Sequence, residues 1–205
     1  GCAAFADYRE VLARPGIDAV MIGTPDHWHI PMAVAAARAG KHISLEKPLG
    51  TALDHGRRLV AEIQRSKVIT RNDSEFRTLP KFARAVELVR NGRIGKVRRI
   101  QVGVPPELSG AALPPTATQP VPPDLDYDFW LGPAWEAPYT ENRVHPVKAW
   151  GRPGWMRVEA TCNGMISNWG AHLMGIAQWG NGTEDTGPIS VEGTGVFDKG
   201  LWNTL

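Results

Sequence analysis

Two short segments of this chain combine residue types that could do chemistry with places where a chain turns. Gly23-Thr24-Pro25-Asp26-His27-Trp28-His29 follows one compact apolar run, and Glu46-Lys47-Pro48 follows the next. If both runs are strands of an open parallel sheet, both segments face one crevice, because ligands bind outside the carboxyl ends of such strands. A lysine ammonium held beside a cationic ring and partly desolvated has its pKa pushed down, which makes Lys47 a usable acid or base near neutrality. The plainer reading of Lys47 is a surface lysine after a strand.

The same stretch also allows a metal reading. His27 and His29 form an H-x-H pair, which with His42 and Cys162 could begin a zinc site. No third and fourth ligand stands at a recognisable spacing, so no metal is expected. Seven of the eight tryptophans (Trp130, Trp135, Trp150, Trp155, Trp169, Trp179 and Trp202) lie in the second half of the chain. Their flat faces and single N–H donors suit carbohydrate rings, with core packing as the alternative.

The elements that must position these residues follow from periodicity. Residues 7–13 read as a short helix with Asp7 as N-cap and Pro15-Gly16 as its stop. Residues 18–23 read as a strand buried on both faces. Residues 31–39 are alanine-rich and helix-compatible, ending at Gly40, before a strand over 42–45. Residues 51–66 read as a helix capped by Thr51 or Asp54, and 67–70 as a strand. This alternation predicts α/β architecture with a doubly wound parallel sheet. Residues 79–90 then predict an amphipathic helix with Phe82, Val86 and Val89 on one face, and 98–104 a strand. Residues 105–123, rich in Pro, Ala and Thr, read as a surface excursion or lid. The expected division is 1–76 and 77–205.

The 205 residues, 42% hydrophobic, are enough for one domain or parts of two. The net charge of +2 is spread along the chain, so no basic patch argues for nucleic acid or a membrane surface. No apolar run approaches the roughly 20 residues that span a bilayer. The two cysteines, Cys2 and Cys162, are too few for a disulfide framework and leave the redox compartment open.

Several motifs in order resemble the Gfo/Idh/MocA family, the group of glucose-fructose oxidoreductase and inositol dehydrogenase. They are Ala19-Val-Met-Ile-Gly-Thr-Pro-Asp-His-Trp-His29, the Ala-Gly-Lys turn ending at Lys41, Glu46-Lys-Pro48, the run from Glu87 to Lys96, Phe129-Trp-Leu-Gly-Pro133 and the run from Asn163 to His172. The resemblance implies the C-terminal part of an NAD- or NADP-binding Rossmann domain, then an α/β domain with an open, mostly antiparallel sheet that floors the substrate site and often forms a homo-oligomer interface. It places Thr24, Pro25, His29, Glu46, Lys47, Pro48 and Arg77 on the cofactor side. Lys47, Asn168 and His172 become the expected catalytic set, and with Trp155 the substrate-binding set, for a small carbohydrate. The lysine–proline bond is often cis in the family.

Asn168 and His172 stand four apart, hence on one helix face. His172 would accept a hydroxyl proton as hydride leaves the sugar carbon, while Lys47 stabilises the alkoxide. The family usually has Asp where Asn168 stands. A carboxylate would raise the histidine's pKa, whereas an amide only orients its tautomer, so His172 is expected to be the weaker base.

A Gly-rich G-x-G-x-x-G loop, with an acidic residue about 20 positions beyond, is missing from the chain. In this architecture it belongs before Gly1, so the resemblance implies a fragment at both ends, with cytoplasmic or exported location unreadable. Three functions are compatible with these residues. One is an NAD(P)-dependent oxidoreductase acting on sugar or cyclitol secondary alcohols. A second is a glycoside-cleaving enzyme that oxidises only transiently and returns its cofactor unchanged. The third is a redox-inactive carbohydrate-binding protein.

Overall fold

The computed structural model describes residues 1–104, 117–147, 152–195 and 204. The Asp7 carboxylate accepts the Arg9 backbone N–H at 2.8 Å and so starts α1 (Tyr8–Leu12). Strand and helix then alternate through β1 (Ala19–Ile22), α2 (Asp26–Arg38), β2 (His42–Leu45), α3 (Leu53–Ser66) and β3 (Thr70–Asn72). The three strands pair in parallel in the order β1-β2-β3. Ile22 aligns with Leu45, and Leu45 with Asn72, so the strands end level. That register decides the site: Thr24, Lys47 and Ser74, each two residues beyond its strand, share one edge.

The core of this unit gathers Ile22, Ile30, Ile43, Leu45, Leu59 and Val68 around Ala33, Ala36 and Ala37. The three alanines, fully buried, let α2 lie close to both the sheet and α3. Burying a side chain such as Leu45 or Leu59 contributes about 2 kcal/mol. At the outer rim Glu62 of α3 accepts from Arg38 of α2 at 3.0 Å, which clips the two helices together.

Beyond β3 come a 3-10 helix (Glu75–Thr78), then α4 (Pro80–Arg90), α5 (Tyr127–Leu131), α6 (Glu141–Val144), a two-residue antiparallel pair of β4 (Pro146–Val147) and β5 (Arg152–Pro153), a second 3-10 helix (Gly154–Arg157) and α7 (Gly164–Asn181). Parallel sheet and packed helices make the chain α/β. The Rossmann-type unit meets the second part through Trp28, whose indole N–H donates to the Trp130 carbonyl at 3.0 Å. Gly132, at φ +46, makes room for that ring: a Cβ there would stand 2.0 Å from Trp28 Cζ2.

The structure corrects several sequence expectations. Residues 26–30, left outside the helix expected over 31–39, form the first turn of α2, and Pro31 lies inside the helix instead of opening it. An interior proline costs roughly 3 kcal/mol of helix stability, here outweighed by burial of Ile30 and the alanine face. Strand β1 is buried at Ile22 but exposed at Ala19 and Met21, because the described helices cover one face of it. Helix α3 starts after Ala52, with neither Thr51 nor Asp54 capping it; Asp54 pairs instead with Arg57. The third strand begins at Thr70, not at 67, since Lys67 takes the left-handed conformation that ends α3.

Helix α4 buries Val86, with Phe82 and Val89 half-buried beside it, as its periodicity predicts. Residues 98–104 carry no ladder. Among the described residues no strand pairs with them, and Ile100 lies instead along a groove shared with Val86 of α4 and Ile176 of α7. The only antiparallel ladder among the described residues is β4–β5. Most of the segment read as a surface excursion, together with Trp150 and Trp202, lies outside the described residues.

Candidate active site

The carboxyl edge of the sheet meets α7 directly. Helix α7 turns its Met165, Asn168 and His172 inward, a stripe at helical spacing in which two of three members are polar. The Lys47 ammonium donates to Asn168 Oδ1 at 3.0 Å and lies 3.4 Å from the Asn168 backbone carbonyl. The Lys47–Pro48 bond is cis. Asn72, at the end of β3, donates to the carbonyls of Leu45 and Glu46 at 3.1 and 3.2 Å, which fixes the backbone just before Lys47. The Glu46 carboxylate accepts the Lys47 backbone N–H at 3.2 Å.

His172, one turn after Asn168, is almost fully buried. Its Nδ1 stands 3.0 Å from Ser74 Oγ and 3.6 Å from Glu75 Oε2. Its ring stacks on Phe76 with centroids 4.5 Å apart, and Phe76 stacks in turn on Phe82 of α4. Burial, and after it the Lys47 charge, hold the imidazole below the ordinary histidine pKa, while Glu75 and Glu46 act in the opposite sense. A neutral imidazole that donates its Nδ1–H to Ser74 keeps the lone pair on Nε2.

His29 is a brace. Its two ring nitrogens lie 2.7 Å from the Pro48 carbonyl and 2.9 Å from the Thr24 carbonyl, so it ties the turn after β1 to the turn after β2. Pro25 precedes the first turn of α2. Thr24 Oγ1 is buried at the crevice edge without a hydrogen-bond partner among the described residues. An unsatisfied hydroxyl at this place suits a bound polar ligand.

Asp26 was not singled out by the sequence, yet it sits behind Lys47 and is 2% exposed. Burial pushes its carboxyl up to about 6, opposed by a hydrogen bond from the Cys162 thiol and by His29 and Lys47. The same environment, burial first and then Asp26, drives the Cys162 thiol far up, so it stays protonated. Asp26 joins α2 to the approach of α7. The nearby backbone contact from His27 N–H to the Thr161 carbonyl at 3.3 Å does the same.

Two predicted residues stand elsewhere. Arg77 is engaged by Glu184 and lies over the Trp179 ring at 5.0 Å, so the structure does not bring it together with Lys47. Trp155 packs half-buried against Met156, Val158 and Met165. Neither its burial nor its contacts place it with Asn168 or His172. Ser74, Glu75 and Phe76 are the residues the sequence reading missed. The four residues of the metal reading diverge: His27 turns to the Trp130 carbonyl, His29 bridges the Thr24 and Pro48 carbonyls, His42 accepts the Ile69 N–H at 3.0 Å, and Cys162 faces Asp26. Among the described residues no group of three His, Cys, Asp or Glu side chains gathers as a metal site, and no helix is long and apolar enough to cross a membrane.

The sequence model of the Gfo/Idh/MocA oxidoreductases, NAD-binding Rossmann fold, matches residues 1–74, and that of their C-terminal alpha/beta domain matches residues 110–197. The chain belongs to the Gfo/Idh/MocA oxidoreductase family. Its relatives include the levoglucosan dehydrogenase of Pseudarthrobacter phenanthrenivorans, 33% identical over 45% of this chain and 24% of the relative. The myo-inositol 2-dehydrogenase of Thermotoga maritima is 31% identical over 60% of this chain and 33% of its own. A solved structure of scyllo-inositol dehydrogenase from Lactobacillus casei, with NAD(H) and scyllo-inositol, is 28% identical over 45% of this chain and 27% of that one, at a TM-score of 0.43. The chain spans less than half of the length of the curated relatives it matches, from 24% to 46% in five of them.

Proposed function

We propose that the whole protein is an NAD(P)-dependent oxidoreductase that moves a hydride between a secondary alcohol carbon of a sugar or cyclitol and nicotinamide. The observation that carries this reading is the Lys47–Asn168 contact at 3.0 Å with buried His172 one helical turn further on. Together they place a cation and a neutral imidazole at the carboxyl edge of a parallel sheet. Relatives named as levoglucosan and myo-inositol dehydrogenases support the substrate class.

The residues present fit such a cofactor at this edge: Thr24 carries an orphaned hydroxyl, and His29 ties the turn after β1 to the turn after β2. When bound, oxidised nicotinamide supplies the acceptor for the hydride of the carbinol C–H. Lys47 then stabilises negative charge growing on the alcohol oxygen, a kind of contribution whose removal costs about 10²–10³ in rate. His172 takes the hydroxyl proton at Nε2, a general-base contribution of about 10²–10⁴. In the reverse direction the imidazolium returns that proton to the carbonyl oxygen. Asn168 holds Lys47 in place through Oδ1 and has its amide N–H groups to offer a second substrate hydroxyl.

The test is to denature the purified whole protein and look for released nicotinamide. NADH and NADPH are then titrated by fluorescence, and cyclitols and anhydrosugars screened for net cofactor reduction. Saturable binding with accumulation of reduced cofactor supports the reading. Turnover of glycosides with no accumulation would support transient oxidation and elimination instead, and absence of any cofactor binding would support a redox-inactive binding protein.

A further inference from the structure

Oxidation of an alcohol leaves His172 as a buried imidazolium, and that charge needs a counter-charge at the nitrogen facing away from the substrate. The residue one turn earlier on α7 is an amide, and its Oδ1 is already directed at Lys47. The carboxylate that reaches Nδ1 comes from a different element, the 3-10 helix after β3. Glu75 Oε2 stands 3.6 Å from Nδ1, Ser74 Oγ stands 3.0 Å from the same nitrogen, and Phe76 covers the ring face at 4.5 Å. Three consecutive residues thus meet one imidazole, two at Nδ1 and one across the ring face.

We propose that Glu75 is the positioning residue of His172, with Ser74 receiving the Nδ1–H, so that Nε2 keeps its lone pair toward the substrate. This rests on the oxidoreductase reading for its purpose, but the geometry is independent of it. The charged groups that act on the imidazole are Lys47 and Glu46 from the turn after β2 and Glu75 from the 3-10 helix; α4 reaches the stack through the Phe82 ring. Lys47 disfavours the imidazolium and the two carboxylates favour it. The Glu75 side chain is 63% exposed, so its effect is screened by salt, which a purely structural contact would not be.

The experiment is an NMR titration of histidine ring nitrogens in the ¹⁵N-labelled whole protein, with His172 assigned by loss of its signals in His172→Gln. The expected wild-type result is a neutral ring protonated at Nδ1. Glu75→Gln should lower the His172 midpoint by about half a pH unit at low salt and mix the two tautomers, with the difference shrinking as salt is added. Glu75→Asp should restore part of the shift. An unchanged midpoint and tautomer in Glu75→Gln overturns the proposal, as does a shift indifferent to salt. No turnover is needed for this titration, so it separates from the activity reading, which stands or falls on cofactor reduction. Where turnover is present, the acid limb of kcat/KM should move down with the NMR midpoint.

Discussion

Lys47 and Asn168, 121 positions apart in sequence, meet as ammonium and side-chain carbonyl at 3.0 Å, and this contact joins the sheet edge to the helix that carries His172. It joins a charge to a dipole, with no second charge in the pair.

Asn168→Asp therefore changes the electrostatics more than the shape. A carboxylate beside Lys47 and one turn from His172 stabilises both cations, so the imidazolium persists to higher pH. The acid limb of the kcat/KM profile for alcohol oxidation should rise by about one pH unit. A profile superimposable on the wild type would contradict this electrostatic account.

Asp26 makes stability pH-dependent in a sense opposite to most carboxylates. Its carboxyl is pushed up from 3.8 to about 6 in the fold, mainly by burial. Between those values the folded chain holds a proton that the unfolded chain has released. Stability falls as pH rises through the window, and the loss persists above it. Asp26→Asn removes the loss, so it should stabilise the protein by on the order of 2 kcal/mol at about pH 8 and by little at about pH 4. Thermal unfolding of both proteins at the two pH values checks this; an equal difference at both would contradict it.

Gly132→Ala tests how the two parts of the chain are joined. The new methyl would need to displace the Trp28 ring from a backbone already at φ +46. The expected cost is roughly 2–4 kcal/mol, read from chemical denaturation. Loss of the Trp28 bond to the Trp130 carbonyl should show as a change in tryptophan fluorescence. Wild-type stability in this variant would show that the ring is not held there.

Lys47 stood out by its place after an apolar run, whereas Asn168 and His172 stood out only through the family resemblance. Lys47 follows the apolar strand β2 by two residues, and the other two are four apart on one helix. Their contact follows from the level register of Ile22, Leu45 and Asn72. Ser74, Glu75 and Phe76 were not legible for the same reason inverted. Val68 and Ile69 look like strand, but pairing with β2 begins at Thr70, which moves the strand end into residues that read as loop. Asp26 was hidden by Pro31, whose usual place at the start of a helix drew the boundary five residues too late. Arg77 resembled a site residue by its position in the chain, but Glu184 and Trp179, far away in sequence, claim its guanidinium.

Hydride transfer from a substrate carbon at the Lys47–His172 edge can be followed by isotope. The most direct measurement mixes the whole protein with oxidised nicotinamide and a cyclitol deuterated at its carbinol carbons, and examines the reduced nicotinamide by mass spectrometry. The account predicts one deuterium transferred per reduced cofactor, with the rate falling by about 10²–10³ in Lys47→Ala and by about 10²–10⁴ in His172→Ala. Reduced cofactor without deuterium, or undiminished transfer in both variants, would contradict it.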